Sequence, residues 1–259
     1  MNSSKSWIET KKHWDARRDV AIADSSAEAL DFCYSHFLDT VNLWTALKGH
    51  CHIALSGGST PIALYNRLAK EAKKSVDWKR VSLYWGDERY VPADHPENNA
   101  FAAMQAGLEL LGIPEKQIHP FDTSIPIEES ARRYNELLER ELGGMFDLVI
   151  LGMGDDGHTA SLFPRTEGLY EKERSAIANF VPEKSMQRLT ITFPCINRSE
   201  TIGLYVFGKN KAEKVLEALS EPMDIENIPV QAVGTKEKKA LWILDRESGS
   251  MLYEIRKHS

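Results

Sequence analysis

The sequence predicts an α/β fold: an open, doubly wound, mostly parallel sheet with helices on both faces. Three observations predict it. Short apolar runs of strand length alternate with longer segments whose apolar residues recur at helical spacing. No internal repeat, low-complexity tract or Gly/Pro/Ser-rich linker divides the 259 residues, so one continuous domain over 1–259 is the simplest organisation. The polar, glycine-bearing segments fall directly after strand candidates, on the edge where such sheets place their ligands.

The elements follow in order. Residues 1–24 read as an N-terminal extension or edge segment. Ser25 to Leu47 spaces Ala29, Leu30, Cys33, Phe37, Val41 and Trp44 as a long amphipathic helix. Strand candidates are His52 to Ser56, Val81 to Trp85, Asp147 to Leu151, Leu189 to Phe193, Ile202 to Phe207 and Ala240 to Leu244. Helices are expected at about Ile62 to Lys73, Asn98 to Leu111, Ile127 to Leu142 and Lys211 to Ser220.

Composition narrows the function classes. Hydrophobic residues at 42% and charged residues at 27% suit a folded globular chain rather than a disordered one. No run approaches the ~20 apolar residues of a membrane span, and Met1 to Thr10 lack a secretory core, so a cytoplasmic protein is expected. A net charge of −6, with no basic run beyond short groups such as Lys236 to Lys239, gives nucleic-acid binding little support. Cys33, Cys51 and Cys195 lie far apart without C-x-x-C spacing, and read as reduced, packed thiols.

Four strand ends carry suggestive chemistry. Ser56-Gly-Gly-Ser-Thr-Pro61 supplies free amides at Gly57, Gly58, Ser59 and Thr60, with Thr60 expected to cap a helix starting at Pro61. Such a concave helix N-terminus suits a phosphate, although a plain glycine turn and cap has the same residues. Gly86-Asp-Glu-Arg-Tyr-Val-Pro92 follows, in which Arg89 suits a phosphate or oxyanion and Asp87 or Glu88 can hold it or accept sugar hydroxyls. A solvated charged loop is the bland alternative there, and Asn98 and Asn99 read as helix-start residues.

Gly152-Met-Gly-Asp-Asp-Gly-His-Thr-Ala-Ser-Leu-Phe-Pro164 reads in two ways. As G-x-G-x-x-G it would be a dinucleotide turn; as a turn presenting His158, with Asp156 orienting its ring or contacting substrate, it would be a metal-free general-base site. Pro164 interrupts the helix a cofactor would need, and no strand-ending acid follows at the required distance. The flanking glycines imply a close backbone approach. In Gly208-Lys-Asn-Lys-Ala212, Lys211 opens a helix where the dipole disfavours a cation, which hints at an anion partner.

Together with Arg188-Leu-Thr-Ile-Thr192, these segments resemble the ordered motif set of the 6-phosphogluconolactonases over roughly Ile53 to Leu219. The resemblance implies a modified Rossmann-like fold similar to that of glucosamine-6-phosphate isomerase. It also implies hydrolysis of 6-phospho-D-glucono-1,5-lactone, a sugar-phosphate lactone, with no metal or organic cofactor. By position His158 would be the general base, with Asp156 beside it, and Arg89 would neutralise charge on the substrate or the oxyanion. Gly57 to Thr60 with Lys211 would hold the 6-phosphate, and Arg188 would be a second anion contact.

Competing readings are a glucosamine-6-phosphate isomerase or deaminase and a non-catalytic sugar-phosphate sensor. The first family carries a glutamate between the histidine and the proline, where this chain has Ser161-Leu-Phe163-Pro164. The second would leave Asp156 and His158 without a task. Asp155, Asp156 and His158 lack the count and spacing of a metal site.

Overall fold

The computed structural model describes residues 6–252. Its first half contains α1 (Trp7–Thr10), β1 (Lys12–Asp15), β2 (Arg18–Ile22), α2 (Ser26–Lys48), β3 (Cys51–Leu55), α3 (Ser59–Glu71), β4 (Val81–Trp85), β5 (Asp87–Arg89) and α4 (Asn99–Gln105). The second half adds β6 (Ile118–His119), α5 (Ile127–Leu142), β7 (Leu148–Leu151), β8 (Ala176–Val181), β9 (Met186–Ile191), α6 (Phe193–Arg198), β10 (Thr201–Val206), α7 (Ala212–Ala218) and β11 (Ala240–Leu244).

Eight strands form the main sheet in the order β1-β2-β11-β10-β7-β3-β4-β6. All neighbours are parallel except the β1–β2 hairpin at the edge. Part of the segment preceding residue 25 therefore extends the sheet, because β2 pairs with β11. The winding proceeds outward through β4 and β6 on one side of β3, and through β7, β10 and β11 on the other. Strand order reverses between β3 and β7, which opens a crevice beyond the carboxyl ends of these strands. Burial on both faces explains the runs of apolar residues: every residue of β4, β7 and β11 is buried.

Several expectations shift. The strand expected at Leu189 to Phe193 runs Met186–Ile191 and belongs to a second, antiparallel sheet, β5-β9-β8. Phe193 instead opens α6, because Thr192 caps it and Pro194 lies in its first turn. Helix α3 begins at Ser59, so Thr60 is not its cap. Gly58 holds that position at φ 100°, a conformation reserved for glycine, and makes no side-chain cap bond. The helix expected from Asn98 to Leu111 stops at Gln105, where Gly107 turns at φ 105° into a 3-10 turn. Lys211 precedes α7 rather than lying within it.

Candidate active site

Four loops converge on a cleft of about 190 Å³ beyond β3, β4, β7 and β10, lined among others by Gly58, Arg89, Gly154, His158 and Lys211. Of the residues singled out from sequence, Gly57, Gly58, Ser59, Thr60, Asp87, Arg89, His158 and Lys211 line it. Asp156 contacts His158 beside it, and Arg188 lies outside the lining.

The Gly152 to Pro164 segment is a turn, not the start of a helix: the next helical element is a short 3-10 turn at Glu167–Tyr170. The dinucleotide reading therefore has no helix N-terminus on which to seat a pyrophosphate. Asp156 Oδ1 instead accepts from the His158 amide at 3.1 Å and lies 2.5 Å from His158 Nδ1. Burial would raise the Asp156 carboxyl, yet its hydrogen bond to His158 and the histidine's charge outweigh burial and hold it at about 2. A carboxylate on Nδ1 fixes the tautomer in which Nε2 carries the free lone pair. The imidazole is further fixed by Phe163, stacked on it at 3.9 Å between centroids and 20° between planes.

Gly154 gives that ring its seat. A Cβ there would stand 2.1 Å from His158 Nδ1 and Cε1 and 2.7 Å from Asp156 Oδ1. The close approach implied by the glycines is thus, at this position, the histidine's own. Ala160, two residues on, is held at φ 48°, strained for a residue with a Cβ.

The turn after β3 presents the amides of Gly57 to Thr60 with no acceptor among the described residues, at the N-terminus of a 13-residue helix. This is a site for negative charge. Lys211 faces the same cleft and is paired at 2.5 Å with Asp155, itself 71% exposed, a partner that an incoming anion can displace.

The segment after β4 divides its charges. Glu88 is fully buried and turned away from the cleft, where its carboxylate accepts the amides of Arg89 (2.8 Å), Asn99 (2.6 Å) and Ala100 (2.9 Å). It ties β5 to the start of α4, and burial pushes its carboxyl up to about 7 against those three donors. Asp87 accepts Ser161 Oγ at 2.8 Å, which joins this segment to the His158 loop. Asn99 lines the cleft and donates to the Asp87 carbonyl at 3.0 Å, while its neighbour Asn98 caps α4.

Arg89 on β5 stands directly opposite Arg188 on β9. Among the described residues neither forms an ion pair, and the Nε of each is buried without a hydrogen-bond partner. Burial, then the charge of Arg89, depresses the pKa of Arg188. Two adjacent guanidiniums with unused donors form a strongly anion-seeking wall. Among the described residues, no three His, Cys, Asp or Glu side chains are grouped to hold a metal ion.

A family profile described as glucosamine-6-phosphate isomerases/6-phosphogluconolactonase matches residues 24–242. The chain belongs to this family. It is 36% identical over 235 residues to a 6-phosphogluconolactonase of Chlamydia trachomatis, covering 90% of both chains. A Synechocystis 6-phosphogluconolactonase is 39% identical over 214 residues, 80% of this chain and 87% of that one. Among solved structures, a 6-phosphogluconolactonase from Trypanosoma cruzi superposes with a TM-score of 0.81 at 26% identity, covering 93% of this chain and 98% of that one.

Within this lactonase/isomerase family fold, sequence reading misassigned Glu88 and missed the roles of Ser161 and Phe163. Glu88, expected to hold Arg89 or accept sugar hydroxyls, is instead buried and accepts the first amides of α4 beside the Asn98 cap. Ser161 and Phe163 lay inside the recognised motif, but nothing local told that one reaches Asp87 and the other covers His158.

Proposed function

We propose that this protein is a 6-phosphogluconolactonase, hydrolysing 6-phospho-D-glucono-1,5-lactone to 6-phospho-D-gluconate in the pentose phosphate pathway of the cytoplasm. The observation that carries the reading is the Asp156–His158 pair, 2.5 Å apart at Nδ1, in a cleft lined by Arg89, Lys211 and the free amides of the Gly57 to Thr60 turn. His158 Nε2 takes a proton from water as the water oxygen bonds to the lactone carbonyl carbon. The tetrahedral oxyanion is stabilised by Arg89. Its collapse breaks the bond from that carbon to the ring oxygen, which takes the proton back from the imidazolium. The carboxylic acid then ionises.

A lactone is an activated ester, so a positioned base with charge stabilisation suffices without a covalent nucleophile. The substrate phosphate is held by the Gly57 to Thr60 amides and Lys211, with Arg188 reinforcing the positive wall behind Arg89. That remote binding energy aligns the carbonyl with the water. The stretch Ser161-Leu-Phe163-Pro164, where an isomerase or deaminase carries a glutamate before the proline, favours hydrolysis over ring opening and isomerisation, because no second acid stands beside His158.

The test is the hydrolysis of freshly generated lactone above its spontaneous rate. His158→Ala should remove most of the acceleration, by a factor of at least about 10², and EDTA should have no effect. Unchanged turnover in the variant would remove His158 as the base. Release of ammonia from glucosamine 6-phosphate would instead place the chain with the deaminases.

A further inference from the structure

Two buried tyrosines, neither of which contacts the cleft, hold the ends of the two strands that deliver the anion-binding loops. Tyr65 on α3 is fully buried; its hydroxyl accepts from the Ser56 amide at 3.1 Å and donates to the Ser56 carbonyl at 2.8 Å. Tyr134 on α5 does the same at the next strand, accepting from the Trp85 amide at 2.8 Å and donating to the Trp85 carbonyl at 3.0 Å. The Tyr134 ring is stacked on Phe121, with centroids 3.6 Å apart. Ser56 directly precedes Gly57, and Trp85 is separated from Asp87 only by Gly86.

The topology explains the need. β3 pairs with β7 only through Ile53 and Ala54, and β4 pairs with β6 only through Leu83 and Tyr84. Ser56 and Trp85 lie just past those two ladders, although β3 and the β4 end stay joined through the Gly86 amide, which donates to the Leu55 carbonyl at 2.7 Å. At Ser56 and at Trp85 the amide and carbonyl would otherwise be buried short of ladder partners, a costly state for backbone groups. A single phenol oxygen satisfies both, because a hydroxyl both donates and accepts. Unlike a water molecule, it is attached to a packed helix. Tyr65 also closes a ring: it lies in the helix whose N-terminus forms the anion site and reaches back to the residue before the turn. The positions of turn and helix are thereby tied together.

We infer that Tyr65 and Tyr134 are positioning residues of the reaction, whose hydroxyls hold the Gly57 to Thr60 turn and the Asp87 to Arg89 segment in register with His158. The inference rests on the proposed lactonase reading and deepens it. Tyr65 acts on phosphate binding and Tyr134 on the arginine that meets the developing charge.

The experiment compares Tyr65→Phe and Tyr134→Phe with the native enzyme at 25 °C, on 6-phosphogluconolactone and on unphosphorylated gluconolactone. Binding of 6-phosphogluconate is measured by calorimetry. Tyr65→Phe should raise KM for the phosphorylated lactone on the order of ten-fold, less than the ~10² of a 1 Å misplacement, with kcat nearly intact and the unphosphorylated lactone unaffected. Tyr134→Phe should lower kcat on both lactones by a similar factor. Lowered melting temperatures with KM and kcat within two-fold of native would overturn the inference and leave the tyrosines merely structural. Lys211→Ala separates the two readings. If it weakens product binding and Tyr65→Phe does not, the tyrosine role falls alone; if neither does, the phosphate assignment falls. Should a variant fail to fold, amide exchange in the native protein decides, since the Ser56 and Trp85 amides must be as protected as the centre of β3. Fast exchange at both would overturn the inference.

Discussion

Replacing Gly154 by alanine should disable the site with little cost to the fold. The backbone there has an ordinary φ, so alanine is tolerated conformationally, and unfolded-state entropy alone would favour it by roughly 0.4–1 kcal/mol. The methyl, however, would stand 2.1 Å from His158 Nδ1 and Cε1, whereas ordinary van der Waals contact begins at 3.4 Å. The imidazole must retreat by about 1.3 Å, the difference of those distances, and Asp156 Oδ1, 2.7 Å from the methyl, must move with it. A displacement of ~1 Å in a catalytic group costs about 10²-fold in rate. We therefore expect kcat on 6-phosphogluconolactone to fall on the order of 10²-fold, with KM little changed because the proposed phosphate contacts lie on other loops. Initial rates of acid release above the spontaneous rate, with a urea unfolding curve as control, measure both. A kcat within three-fold of native would refute the reasoning, because the ring could then give way without leaving its working position.

Gly57→Ala places its methyl 2.0 Å from Asn99 Oδ1, so Asn99 must swing off the Asp87 carbonyl, at a cost of about 1–3 kcal/mol in urea denaturation. Lys211→Ala should raise KM for the phosphorylated lactone roughly 10- to 100-fold, the worth of a charge-assisted bond, and leave unphosphorylated gluconolactone alone; equal effects on both would sink the phosphate assignment. His36, bonded to the Tyr205 hydroxyl at 2.7 Å, is pushed down to about 4 by burial and then by the charge of Lys11. Its unfolded counterpart takes a proton first, so stability is complete above pH ~6.5 and is lost as pH falls towards 4, by about 3 kcal/mol. Unfolding curves at pH 7 and pH 5 should show this slope reduced in His36→Gln, and an identical slope in both proteins would exclude His36 as its source.

Features set by neighbouring residues were legible in the chain. Helical periodicity marked α2 and α5, continuous apolar runs marked β4, β7 and β11, and motif order marked the four loops that line the cleft. The local rules misread boundaries where one residue's backbone decides: Gly58 at positive φ starts α3 before Thr60, and Gly107 ends the helix expected to reach Leu111.

By itself, then, the sequence determined the α/β class, the edge of the sheet that carries the candidate site and the residue types gathered there, because these follow from spacing along the chain. Tertiary structure alone decided the second sheet that sets Arg89 against Arg188 across 99 positions, the Ser161–Asp87 bond, the stacking of Phe163 on His158 and the tyrosine hold on two strand ends. Each of these depends on where a strand stops pairing and what packs into the opening. That is fixed by long-range register and burial, which no local pattern of residues encodes.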